Sequence, residues 1–463
     1  MNISGKKLTI LLLEISIFFY TILILFFNCA SFVFYCRVGL VTITADIILF
    51  FLLQKKIITI QTVFLLLFIF FQFGLPIVYA FDANHYNFYI ELFDDNILVN
   101  AAKYTVLAIQ IYIIISSMML EINLINKKNG IINCFFEKHS REVEKAALIL
   151  FCFTAIIAVP INLFSAISAL MSSGPISNIY RGAMSSNGFT RFVQEFYYSS
   201  GLLYLCFSKN KFGKKMVSVL YFIVAISMIM VADRSGGVTA FIVFALYWYY
   251  SGTNKQRKKK SIILILVGVS LAIISSAIAN IRLGATNQDI IQLLKSSIEE
   301  MGFNFTSLCF VMDYIPSKSK FKFGLSYFVS LILLIPKSFG LKEIYPSLQS
   351  QLGETWLLNS NKLYGRSFLD FGVGFSLIAE SYYNFSWLGI FMMIPIGIVI
   401  TYFLKEKNNN SWNMYVKLAL MLSFFTAPRR QFASIAKSLE YSVFFTAIYL
   451  LAFIKMSFFR DSN

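Results

Sequence analysis

LTILLLEISIFFYTILILFF, residues Leu8–Phe27, is an apolar run long enough to cross a bilayer as a helix. It follows Lys6 and Lys7 and so imitates a signal peptide. It is too long for the apolar region of one, and no A-x-A cleavage signal follows, so it reads as a retained first span. Runs of the same kind recur along the 463 residues. They are Val38–Leu53, Ile57–Phe81, Ile97–Leu120, Ala146–Leu170, Phe192–Phe207, Met216–Ala232, Gly237–Tyr250, Ser261–Ala279, Trp387–Leu404, Trp412–Ala427 and Ser438–Ile454. The chain is 58% hydrophobic and 14% charged. Soluble domains carry about a quarter charged residues, so a soluble reading fails. The expected fold class is an all-α polytopic membrane helical bundle with about twelve transmembrane helices.

The net charge of +17 does not point to nucleic acid. The bases gather at alternate connections: Lys6/Lys7, Lys55/Lys56, Lys127 to Lys145, Lys209 to Lys215, Lys255 to Lys260, Lys405/Lys407, and Lys455 with Arg460. With about twelve spans they all fall on one face, which the positive-inside rule makes cytoplasmic. Both termini are then cytoplasmic, membrane lipids surround the spans, and the interval from Arg282 is extracytoplasmic, which in a bacterium means periplasmic or outward-facing. Three regions follow: a transmembrane bundle over residues 1–281, one large periplasmic loop over 282–385, and C-terminal spans over 386–463. Within the loop, Phe328 to Pro336 reads as an interfacial or re-entrant piece, and Gly372 to Ala379 has the same status. No half of the chain repeats the other, unlike many transporters.

The chemistry-bearing residues are few. Six cysteines form no C-x-x-C pair, and His85 and His139 are the only histidines, so no metal site and no cofactor are expected. Arg181, Arg191, Arg234, Arg282, Arg429 and Arg430 fall on the outward side, against the topology rule. A charge near membrane depth costs about 2.5–3.5 kcal/mol on insertion scales, so such positions face a cavity or a partner. The plain alternative is snorkelling to lipid headgroups. Arginine's planar fork suits bidentate phosphate binding, and this set suits an anionic lipid-linked substrate such as a pyrophosphate. For PRRQ, Pro428 ends one helix and Ser434 is a candidate N-cap for the next. Glu299 and Glu300 end an amphipathic helix with Ile290, Leu294, Ile298 and Met301 on one face. Glu380, expected just before the chain re-enters the membrane, is either an acid–base group with a perturbed pKa or a carboxylate paired with a nearby arginine. Glycines and aromatics that flank the spans read as packing and interfacial residues.

The motifs EEMGFNFTSL (Glu299–Leu308), YIPSKSKFKFGLSYF (Tyr314–Phe328), LLIPKSFG (Leu333–Gly340), GFSLIAESYYNFSWLG (Gly374–Gly389) and PRRQFAS (Pro428–Ser434) resemble those of Wzy-type O-antigen polymerases. So does the order of a basic, proline-containing loop before an A-E-x-Y-x-N-F-like entry into a span. The resemblance implies a membrane glycosyltransferase that joins undecaprenyl-pyrophosphate-linked repeat units outside the inner membrane, in lipopolysaccharide biosynthesis. It implies outward arginines as pyrophosphate binders. From the residues themselves, an outward carboxylate, Glu380 by preference or Glu300, is expected to accept the proton of the attacking hydroxyl. The resemblance also admits a chain-length regulator protein as a partner. A lipid-linked oligosaccharide flippase and an O-antigen ligase stay open as alternatives. The spaced Arg-and-Gly loop signature of some family members does not appear cleanly around Arg181 and Arg191.

Overall fold

The computed structural model describes residues 5–26, 31–54, 59–121, 131–171, 188–230, 234–252, 255–257, 259–264, 266, 290–335, 343–366, 374–405 and 410–461. The described residues are mostly helical and contain no strand. Eight helices among them are long and apolar enough to cross a membrane: Gly5–Phe26, Phe32–Gln54, Ile60–Phe81, Asp95–Leu120, Ser140–Ser168, Lys211–Ile229, Leu377–Leu404 and Phe432–Ser457. The expected spans at Phe192–Phe207, Gly237–Tyr250 and Trp412–Ala427 appear as the helices Gly188–Phe207, Arg234–Tyr250 and Ser411–Phe424, which are shorter or more polar than those eight. Most of Ser261–Ala279 lies outside the described residues. The chain is an all-α polytopic membrane protein.

The chain forms two compact units. The first comprises residues 1–126, 294–405 and 427–436. It is built on α1 (Gly5–Phe26), α2 (Phe32–Gln54), α3 (Ile60–Phe81) and α4 (Asp95–Glu121). Thr59 starts α3 by accepting from the amide of Thr62 at 3.0 Å, which satisfies one orphan donor of the first turn. Helix α4 runs through the middle, with Tyr104 and Tyr112 fully buried and Phe68 packed 4.9 Å from Tyr112. Polar groups inside this unit bond across helices, as they must where no water competes. Gln61 donates to Thr401 at 3.2 Å, Thr401 to Ser116 at 3.1 Å, and Tyr104 and Ser381 share a bond of 2.9 Å. Gly302 meets α3 backbone to backbone: a Cβ there would lie 2.0 Å from the Leu75 nitrogen. Glycine is what allows that crossing.

The second unit comprises residues 127–293, 406–426 and 437–463. Phe151 on the helix Ser140–Met171 stacks on Tyr197 of Gly188–Phe207 at 5.0 Å. Near the C-terminus the helix widens into π geometry over Glu440–Phe445. The wider turn disturbs the backbone ladder, and the Ser442 carbonyl accepts from Ser199 and from Tyr415, each at 2.7 Å. Two hydroxyls thus stabilise the irregular turn from inside the unit.

The long interval after Arg282 folds, over its described part, into short helices: Ile290–Gly302, Asn304–Tyr314, Leu325–Ile332, Tyr345–Ser350 and Gly353–Leu363. The apolar piece at Phe328–Pro336 begins as Leu325–Ile332, an eight-residue helix too short to cross a bilayer. The following span starts at Leu377, not Trp387. Ser376 caps it by accepting from the Ala379 amide at 3.0 Å. The polar run Glu380–Asn384 lowers the hydropathy there and hides the helix start from a sequence reading. Glu380 therefore lies inside the candidate span rather than before it.

Candidate functional site

The site is built around the turn Ala427–Arg429 of the first unit, which leads into the start of the helix Phe432–Leu439. Proline lacks a donor and ends regular helix, so the backbone at Pro428 needs outside partners. It has them. The buried Gln72 of α3 donates to the Pro428 carbonyl. The buried Gln431 accepts from the Glu354 amide at 3.0 Å, in the first turn of Gly353–Leu363. Glu380, fully buried, accepts from the Phe432 amide at 2.6 Å through Oε2 and from the Ser326 hydroxyl at 2.8 Å through Oε1. A carboxylate at the first amide of a helix meets both an orphan donor and the positive end of the dipole.

A second ring of bonds fixes Glu380 itself. Asn384, one turn later on the same helix, donates to Ser326 at 2.7 Å and to the Glu380 carbonyl at 2.8 Å. Its carbonyl oxygen accepts from the Gly324 amide at 3.1 Å, where a φ of 86° requires a residue without a Cβ. Tyr327 lies parallel to Phe385 at 6.3 Å and edge-on to Phe432 at 5.7 Å. Its hydroxyl is enclosed and meets no partner among the described residues. Burial, and then the charge of Glu380, holds this phenol well above its ordinary pKa, so it stays a neutral donor.

On this support sit Arg429, exposed, and Arg430, half-buried. The Arg429 guanidinium lies 5.7 Å from the centre of the Phe71 ring, a cation–π distance. The structure thus brings together three sequence candidates, Glu380, Arg429 and Arg430, at the starts of two candidate spans. Ser434 is not the N-cap: the helix begins at Phe432, because Glu380 supplies the acceptor that a capping side chain would have supplied. Arg191 lies in Gly188–Phe207 and Arg234 opens Arg234–Tyr250, but their side chains fall outside the described residues, as do Arg181 and Arg282 altogether.

The second expected acid, Glu300, is exposed on the helix Ile290–Gly302. For its neighbour Glu299, Asn87 donates to the carboxylate, and His85 Nε2 lies 3.2 Å away. Lys295 of the same helix pairs with Asp82 at 2.5 Å and holds that carboxyl below its usual range. Arg366, which drew no notice in the sequence, is consumed structurally. It pairs with Asp313 at 3.0 Å and lies 5.1 Å from the centre of the Phe310 ring. Ser326, Tyr327, Asn384 and Gln72 are the residues that sequence reasoning missed around the turn. Ser326 and Tyr327 lie inside FGLSYF and Asn384 inside ESYYNF, but nothing in the spacing shows that these segments meet. No group of three or more His, Cys, Asp or Glu among the described residues is arranged to hold a metal.

A family model, O-antigen polysaccharide polymerase Wzy, matches residues 8–460, nearly the whole chain. The chain belongs to the O-antigen polysaccharide polymerase Wzy family. No curated protein and no solved structure matches it. Membership extends over both compact units and places the PRRQ turn, with Glu380 beneath it, inside an O-antigen polymerase.

Proposed function

We propose that this polymerase joins undecaprenyl-pyrophosphate-linked oligosaccharide repeat units into O-antigen polysaccharide at the periplasmic face of the inner membrane, in lipopolysaccharide biosynthesis. The observation that carries the reading is the arginine pair held on a rigid turn beside two span starts, where a lipid pyrophosphate would lie. In the transfer, a hydroxyl of one unit attacks the anomeric carbon of the other. The bond from that carbon to the pyrophosphate oxygen breaks, and the lipid pyrophosphate leaves with the electron pair. Arg429 and Arg430 stabilise the charge that grows on it, and the outward arginines Arg181, Arg191, Arg234 and Arg282 extend the same anion surface. The Phe432 amide does not serve the phosphate, since Glu380 already occupies it.

Glu380 has two readings here. As a base it would take the hydroxyl proton, as would Glu300 from its exposed position. Both Glu380 oxygens already accept hydrogen bonds, which favours a positioning role: it fixes the arginine turn. Tyr327 supplies an unused donor next to the turn.

Two experiments test the function. Lipopolysaccharide from a deletion strain should carry a single repeat unit on its core, and a plasmid copy should restore the ladder. Lipopolysaccharide with no repeat at all would instead indicate a ligase or flippase. For orientation, Ser347 and Lys211 are both exposed. In a cysteine-free background, Ser347→Cys should react with an impermeant maleimide from outside and Lys211→Cys should not. The reverse pattern would put the chemistry on the cytoplasmic side.

A further inference from the structure

The helix Leu325–Ile332 presents an apolar side that the folded chain does not cover. Leu325, Phe328 and Leu331 are exposed at spacings of three residues, so they line one side of it. Ile335, just past its end, is exposed as well. The opposite side is polar and enclosed. Ser326 and Ser330 are buried there, with Ser330 donating to the Ser326 carbonyl at 2.6 Å and Ser326 donating to Glu380 at 2.8 Å. A surface helix of a soluble protein distributes these residue classes the other way round.

Backbone bonds fix the level at which this side lies. The chain that enters the helix is fastened to the candidate span Leu377–Leu404. The Lys322 amide donates to the Tyr383 carbonyl at 3.2 Å and the Phe323 amide to the Asn384 carbonyl at 2.9 Å. That span has 28 residues, roughly 40 Å of helix, against a hydrocarbon core of about 30 Å. The excess falls at its polar start, Glu380–Asn384, which puts the hydrocarbon boundary close to Phe385. Trp387, Leu388 and Phe391 are exposed just beyond, and tryptophan favours the membrane–water boundary. The apolar side of Leu325–Ile332 thus starts where the exposed apolar side of the span starts.

Phe323 is an independent sign. Its φ is 47°, a left-handed conformation that a bulky residue rarely adopts. The bond to Asn384 holds it there, and 80% of the residue is exposed. In water that strain would display an aromatic ring for no gain, whereas acyl chains would bury it. Lys318 and Lys320, a few residues earlier, are also exposed. An apolar side flanked by bases is the pattern of an element that lies in the lipid interface.

We propose that the helix Leu325–Ile332 is seated in the lipid interface on the side of the PRRQ turn. Phe323, Leu325, Phe328 and Leu331 dock on phospholipid acyl chains, and Lys318 and Lys320 stand at the headgroups. Continuity with the exposed side of a span favours phospholipid over a protein partner. The inner side of the same helix holds Glu380 through Ser326, and Tyr327 packs on Phe432. The lipid seat therefore sets the height of the arginine turn at the membrane surface.

The test uses the full-length protein in a cysteine-free background, in phospholipid nanodiscs. A nitroxide is attached at Phe328→Cys, Leu331→Cys or Lys320→Cys. Electron paramagnetic resonance then reads its collisions with oxygen, which concentrates among acyl chains, and with a neutral nickel chelate, which stays in water. Oxygen should prevail at Phe328 and Leu331, and the nickel chelate at Lys320. Two positions on the apolar side keep the result readable if one variant misfolds, which its thermal unfolding reports. Preference for the nickel chelate at Phe328 and Leu331 would place this side in water. Shielding from both colliders would place it under a partner protein or a second copy of the chain. Either result overturns the proposal, and oxygen preference at Lys320 would overturn the headgroup assignment. None of these readouts uses polymerase activity, so failure here leaves the polymerase reading standing.

Discussion

Two buried acidic sites in the first unit solve the same physical problem in opposite ways. Beneath the PRRQ turn, each oxygen of Glu380 accepts a hydrogen bond, one from a hydroxyl and one from a helix amide. Between α1, α2 and α4, the acids Glu14 and Asp46 each keep one oxygen without a partner among the described residues, and the Gln110 amide oxygen adds a third. A buried carboxylate whose acceptors are all met is a structural fixture, and removing it strands its donors. A buried carboxylate with an oxygen to spare strands fewer donors when it is removed. Both sites sit within candidate spans, so burial alone does not tell them apart; the hydrogen-bond ledger does.

The sharpest way to break this contrast is at Glu380. Glu380→Ala leaves the Phe432 amide and the Ser326 hydroxyl without their acceptor, at a cost of about 1–3 kcal/mol for each. Long O-antigen chains should be lost and the protein's thermal stability should fall. Glu380→Gln is the informative partner. Its amide oxygen can accept from Phe432 while its nitrogen donates to Ser326, so the turn survives without a base. Positioning predicts a near-normal ladder in Glu380→Gln. A general base predicts collapse to about one repeat, since such catalysis contributes about 10²–10⁴-fold. The ladder pattern of this one variant assigns the role.

A smaller effect is expected at Gln72. Gln72→Leu keeps the bulk on α3 but strands the Pro428 carbonyl, costing roughly 1–3 kcal/mol by the same reasoning. The chain-length distribution should shift towards shorter polymers without disappearing. An unchanged distribution would show that the turn does not depend on α3.

The smallest effect is expected outside the spans, at Lys295 and Asp82. The Lys295 ammonium holds the Asp82 carboxyl below its usual range. The pair's stabilisation is therefore present above the ordinary carboxylate range and is lost as pH falls through the lowered value. Lys295→Met should unfold slightly earlier than wild type at neutral pH, and the gap should close on acidification. Asp82 is half exposed, so salt should shrink the gap as well. A gap that persists in acid would rule the ion pair out as its source.

Much of the fold was legible because membranes impose a simple code. Runs such as Leu8–Phe27 and Ile57–Phe81 announce helices by length and apolarity, and the structure has α1 and α3 there. The code failed at Leu377, where Glu380, Ser381 and Asn384 lower the hydropathy of a helix that Ser376 caps. Arg429 and Arg430 were visible because they break the charge rule. The support under them was not: Gln72 and Pro428 are 356 residues apart in the chain, and no local pattern joins them. Glu14 and Asp46 passed unnoticed for a related reason. One acid in a long apolar run barely changes its hydropathy, and only the packing of α1, α2 and α4 gives each its buried polar partner.

The central claim is that the arginine pair on the PRRQ turn recognises the lipid pyrophosphate during polymerisation. It is tested most directly with purified protein in nanodiscs supplied with undecaprenyl-pyrophosphate-linked repeat units. The initial rate of polymer formation is compared between wild type and the Arg429→Lys/Arg430→Lys double variant, with abundance and unfolding temperature matched. Lysine keeps both charges and loses the bidentate fork. The account predicts a fall of roughly tenfold or more, the equivalent of at least ~1.4 kcal/mol in transition-state binding. A double variant that polymerises at the wild-type rate would contradict it and return both arginines to headgroup anchoring.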